Sequence, residues 1–168
     1  NADSGAAGSV PAPVYSGPGL AGFGYGGHVD SFAHPDKMAY AGMTWAKRQV
    51  RFTPGSSGSV AAGAINQAHG AGFKILLGIV GPANCVVSPG CFEDYARFVG
   101  EVAALGPDAI EVWNEQNIDR EWQNGQIDPA KYTQLLALAY NAIKGANPNV
   151  AVISGAPAPT GAEGAFGS

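Results

Sequence analysis

From residue 20 to residue 154 the chain alternates between two textures, and this alternation limits its fold more than any other feature. Short apolar runs at 20–25, 49–52, 73–80, 109–113 and 150–154 are rich in β-branched or aromatic residues and are expected as strands. The segments between them, 36–47, 59–71, 92–105 and 129–145, carry apolar residues at helical spacing. Met38, Met43 and Trp45 mark the first; Tyr95, Phe98, Val99 and Val102 mark the third. Asp128-Pro129 supplies a helix cap followed by proline at the first helical position, and Gly106-Pro107 and Gly145 with Pro148 are stop signals. Strands that alternate with helices pair in parallel through right-handed crossovers. The run KILLGIV, Lys74–Val80, is nearly continuous apolar sequence, as expected of a strand covered on both faces. The expected fold class is therefore α/β, with about five parallel strands and four helices. A doubly wound sheet and part of a (β/α)8 barrel both fit this order.

Composition narrows the functional classes. Of 168 residues, 46% are hydrophobic and 13% charged, enough apolar material for a core. The net charge is −4 and no basic stretch exceeds Lys47-Arg48, so a surface that neutralises nucleic-acid phosphates is not expected. No run approaches the roughly 20 apolar residues needed to span a bilayer. Residues 1–18 are small and Pro/Gly/Ser-rich without periodicity and read as a leader or linker, leaving 19–168 as the folded part. The chain opens without the basic and apolar regions of a secretory signal. Cys85 and Cys91 lie six positions apart in a Pro/Gly/Asn-containing stretch, with no further ligands nearby to complete a zinc site. A disulfide is the better reading, and it points to an oxidising, extracytoplasmic compartment. GFGYGG at 22–27 leads into HVDSF and not into a helix, so no dinucleotide site is expected.

The chemistry concentrates at the fourth predicted strand and its exit, AIEVWNEQNIDREW at 109–122. Trp113-Asn114-Glu115-Gln116-Asn117 resembles the strand-four W-N-E-x-N or N-E-P signature of the clan A glycoside hydrolases, especially those of the family 39 and family 5 cellulase type. Gln116 stands where proline is commonest. The resemblance extends over residues 20–159 and is specific only at this strand. It implies the N-terminal five βα units of a TIM-type barrel, a retaining mechanism and a carbohydrate substrate, with no cofactor. It also implies that Glu115 is the general acid/base, that Asn114 donates to the sugar 2-hydroxyl, and that Arg51, near the end of strand two, supports the electrostatics. The physical requirements agree with this. Barrel active sites lie at the carboxyl ends of the strands, and glycoside cleavage needs an acid beside the leaving oxygen.

Further candidates follow from position. Alternation along a strand puts Glu111, Trp113 and Glu115 on one side, with Glu111 deeper and in need of a partner: Arg51 first, Lys74 second. Tyr25 and His28, following strand one, would border the same mouth. Trp122 is either a sugar-stacking platform or a residue that buries its own loop. His28, Asp30 and His34 have no recognised metal-ligand spacing and read as loop or substrate-facing residues. His69 reads as an exposed, structural residue of the second helix.

A closed barrel takes about 250 residues. Five strands leave an apolar interior and two sheet edges that would be covered by the rest of the barrel, from further chain or from another copy. In clan A the nucleophile follows strand seven, and Glu163 does not stand at that place. The expectation is thus a portion of a secreted retaining glycosidase, free or attached to a cell surface. The alternative is a non-catalytic carbohydrate-binding or structural component of an extracellular assembly, built on a degenerate barrel of the same kind.

Overall fold

A computed structural model describes residues 23–161. The expected leader at 1–18, residues 20–22 of the expected first strand, and Glu163 lie outside the described residues. The elements run β1 (Gly26–His28), α1 (Pro35–Tyr40), β2 (Trp45–Arg51), α2 (Ala62–Gly70), β3 (Lys74–Val80), α3 (Cys91–Ala104), β4 (Ala109–Val112), α4 (Pro129–Ala146) and β5 (Ala151–Ser154). Short 3-10 turns at Gly58–Ala61 and Ala83–Val87 precede α2 and α3. All four strand pairings are parallel, and the sheet order is β1-β2-β3-β4-β5. Among the described residues that order never turns back on itself, so it has no switch point of the doubly wound kind. The sheet is open, with β1 and β5 at its edges.

Register explains where the core sits. The parallel pairing aligns Ala46 with Ile75, Leu77 with Ile110, and Ile79 with Val112. All six are fully buried. They pack in one cluster with Ile65 of α2, Phe98 and Val102 of α3, and Leu135 and Ile143 of α4. Each of these side chains larger than alanine contributes about 1.5–3 kcal/mol through burial. Alternate strand residues form the other layer, which is more polar and only partly covered. There Trp45, Lys47, Lys74, Leu76 and Ile153 line a hollow of about 750 Å³.

Expected boundaries in the first third of the chain are corrected; the second strand, for one, runs Trp45–Arg51 and not 49–52. The first helix does not reach residue 47: it ends at Tyr40, and Gly42 turns the chain with φ +80°. Met43 and Trp45 match helical spacing only by coincidence, because Trp45 and Lys47 already alternate along β2. Among the described residues the first strand is Gly26–His28, and 23–25 of the expected run precede it. The expected disulfide is present, with Cys85 and Cys91 Cα atoms 5.4 Å apart. It ties the turn after β3 to the first residue of α3, and closing so short a loop is worth about 2–3 kcal/mol.

Two tyrosines fasten the carboxyl end of β4. The Tyr95 hydroxyl, from α3, donates to Ile79 O at 2.7 Å and accepts from Trp113 N at 3.2 Å. The Tyr132 hydroxyl, from α4, donates to Val112 O at 2.9 Å and accepts from Gly155 N at 2.6 Å. Burial raises the pKa of both phenols, so both remain donors. Because the folded state holds these protons more tightly than the unfolded chain, the stability they carry is present below about pH 10 and is lost as pH rises beyond it. Tyr95→Phe should lower unfolding stability by about 1–2 kcal/mol and Tyr132→Phe by about 1 kcal/mol, as buried hydrogen bonds are lost. Urea denaturation at pH 7 measures both; unchanged midpoints would show that the strand ends hold without the hydroxyls.

Candidate functional site

The chain leaves β4 through an unusual turn. Trp113 has φ +68° and Glu115 has φ +49°, both in the left-handed region that side chains with a Cβ avoid. Such residues cost about 1–3 kcal/mol each and persist only where the surroundings enforce them. Here the enforcement is visible. Trp113 N donates to Ile79 O at 3.0 Å and Glu115 N donates to Ala156 O at 3.0 Å. Asn117, buried, donates from Nδ2 to Ala158 O at 3.1 Å and accepts Ala158 N at 2.7 Å. Gly155 lets the exit of β5 come this close: a Cβ there would lie 3.0 Å from the Trp113 carbonyl.

This turn breaks the expected alternation. Glu111 faces the open layer, but Trp113 swings into the helix layer, where its ring lies 5.5 Å from Tyr95 and 5.4 Å from Trp122. Its indole N–H donates to Glu121 O at 3.0 Å. The chain then brings Asn114 and Glu115 back to a cleft of about 210 Å³ at the carboxyl ends of the strands, together with His28, Gln49, Glu111 and Glu121. Glu115 is about one-quarter exposed. Asn114 makes no side-chain hydrogen bond among the described residues.

The charges in the cleft pair closely. Glu115 Oε2 lies 2.6 Å from Arg120, whose Nε also donates to Glu121 Oε1 at 3.2 Å. Glu111, only 5% exposed, is partnered by Lys47 at 2.5 Å. The pair forms across Gly78 of β3, where a Cβ would lie 2.9 Å from Glu111 Oε2. The expected partners of Glu111 are thus corrected. Arg51 stands 3.7 Å from Glu121, and Lys74 lies over the Trp45 ring at 5.4 Å. Lys47 was out of reach of sequence reasoning because residues 45–47 read as helix.

The remaining candidates separate. His28, at the end of β1, lines the cleft. Tyr25 does not: it precedes β1, and its carbonyl accepts Thr44 N at 2.8 Å and Trp45 N at 3.0 Å, at the amino ends of the strands. Trp122 is 1% exposed and packs among Phe92, Trp113 and Tyr132, so it buries its loop and offers no stacking face. His69 pairs with Asp108 at 2.9 Å, just before the amino end of β4. No group of three or more His, Cys, Asp or Glu residues among the described residues could hold a metal ion, and no described helix is long and apolar enough to cross a membrane. Glu121 is the residue that sequence reasoning missed. Its only signal was an acidic side chain next to a tryptophan in the long loop after β4.

No family model matches this chain, and no curated protein matches it. The strain at position 115 makes a prediction that does not depend on any activity. Asparagine tolerates the left-handed region better than glutamate does, so Glu115→Asn should leave stability unchanged or raise it by up to about 1 kcal/mol despite losing an ion pair. A loss of similar size in urea unfolding would mean that the backbone at 115 is not strained.

Proposed function

We propose that the chain carries the first five strands of a secreted retaining glycoside hydrolase barrel, in which Glu115 is the general acid/base. One observation carries the reading: Asn114 and Glu115 leave the carboxyl end of the fourth strand in a strained turn and line the same cleft. Strained backbone of this kind clusters at functional sites. The unreversed strand order and the half-covered layer of the sheet fit a barrel whose further strands pair with β1 and β5. The buried disulfide fits an extracytoplasmic setting.

In this mechanism Glu115 gives its proton to the glycosidic oxygen as the C1–O bond breaks. A second carboxylate, from the strand-seven region of the barrel, attacks C1 to form a glycosyl ester. Glu115, now ionised, takes a proton from water; the water oxygen bonds to C1, and the ester carboxylate leaves. Asn114, whose side chain makes no hydrogen bond among the described residues, is the group that would donate to the sugar 2-hydroxyl. The carbohydrate substrate is held without a cofactor.

Glu115→Gln, measured in protein that carries the closed barrel, should reduce kcat/KM for phenyl glycosides by about 10²–10⁴-fold. Dinitrophenyl glycosides, whose leaving groups need little protonation, should suffer far less in the first step, and azide should accelerate their turnover by replacing water. Equal rates for wild type and variant on phenyl glycosides would remove Glu115 from the mechanism.

A further inference from the structure

We infer that Glu121 and Arg120 form a positioning arm for Glu115, with the buried carboxylate as its fixed end. This rests on the reading of Glu115 as acid/base given above. Glu121 is 6% exposed, and its backbone is held on both sides: its N–H donates to Ile118 O at 3.2 Å, and its carbonyl accepts the Trp113 indole at 3.0 Å. A buried carboxylate is costly unless it is paired. Arg120 from its own loop donates to Oε1 at 3.2 Å, while Arg51 of β2 supplies charge at 3.7 Å, beyond hydrogen-bond distance, so Oε2 has no hydrogen-bond partner among the described residues.

Arg120 is otherwise 70% exposed, and a free arginine at such a place would sample many rotamers. The planar fork lets it grip two carboxylates at once: Nε holds Glu121 Oε1 while a terminal nitrogen holds Glu115 Oε2. Glu115 Oε1 is left without a hydrogen-bond partner among the described residues. The arm therefore selects which oxygen of the acid is tethered and which can meet a leaving group. The other titratable or charged groups near this cleft among the described residues are His28 of β1, Lys47 and Arg51 of β2, and Glu111 of β4. Lys47 is taken up by Glu111 and Arg51 reaches only Glu121, so the described ion pair to Glu115 comes from Arg120 alone.

The test has a spectroscopic and a kinetic readout. In protein labelled with ¹⁵N-arginine, the Arg120 Nε–H should give a distinct signal protected from exchange. Glu121→Gln should abolish that protection, and Glu115→Gln, which touches the other nitrogen, should leave it. In the closed-barrel enzyme acting on phenyl β-glucoside and phenyl β-xyloside, Arg120→Gln and Glu121→Gln should each lower kcat about 10–100-fold with KM unchanged. The double variant should be no worse than either single one, because both break the same arm. Arg120→Lys, which keeps the charge but not the fork, should recover only part of the loss. Since Arg120 is exposed, its variants judge the idea even if Glu121→Gln does not fold. An unprotected Nε–H in the wild type, multiplicative losses in the double variant, or full kcat in Arg120→Gln would overturn the arm. If the wild type cleaves no glycoside at all, the functional reading fails, while the Nε–H signal still decides whether the arm exists.

Discussion

Two phenolic hydroxyls at the end of one short strand organise this molecule. β4 is only four residues long, too short to aim the loop beyond it. Tyr95 and Tyr132 extend its ladder on both sides, each bridging a strand-end carbonyl to the amide that leaves the neighbouring strand. With those amides fixed, Trp113 can hold a left-handed backbone and bury its ring, and Glu115 can hold another and keep its carboxylate in the cleft. The helices thus do more than cover the sheet. Through one hydroxyl apiece, α3 and α4 set the geometry of the turn that bears Asn114 and Glu115.

The two faces of the sheet obey different physics. Against the helices, the aligned positions are apolar and fully buried, and packing dominates. On the other face, Glu111 and Lys47 meet above Gly78, a position where even a methyl group would press on the pair. Removing Lys47 would strand the buried Glu111 charge at a cost of at most about 3–5 kcal/mol, whereas Lys47, 30% exposed, could turn to solvent if Glu111 were lost. Toward the strand ends, the charges become more exposed and are shared among Glu115, Arg120, Glu121 and Arg51. Burial sorts these groups: Glu111 is paired with Lys47, Glu121 is held by Arg120, and Glu115 keeps one oxygen unengaged among the described residues.

Much of the architecture could be read from local sequence. Strands β3, β4 and β5 and helices α3 and α4 lie within a residue or so of the expected segments, because runs such as KILLGIV and caps such as Asp128-Pro129 act locally. The errors arise where non-local forces decide. Met43 and Trp45 continued a helical spacing that Gly42 interrupts. Strict alternation puts Trp113 on the face of Glu111, and a left-handed residue breaks that alternation. Lys47 acquires its role only through Glu111, 64 positions away, and Glu121 draws one of its two cations, Arg51, from 70 positions away. Trp122 had two equally plausible fates in sequence, and only the surrounding rings of Phe92, Trp113 and Tyr132 decide between them.

The account stands on Glu115 being the carboxyl group that a sugar's leaving oxygen meets. Affinity labelling tests this directly: N-bromoacetyl glycosylamines place an alkylating carbon where that oxygen would lie, and peptide mapping finds the ester. The account predicts a single ester on Glu115, suppressed by the parent sugar. An ester on Glu93 or Asp94, in the first turn of α3, with Glu115 unmodified and no protection by sugar, would contradict it.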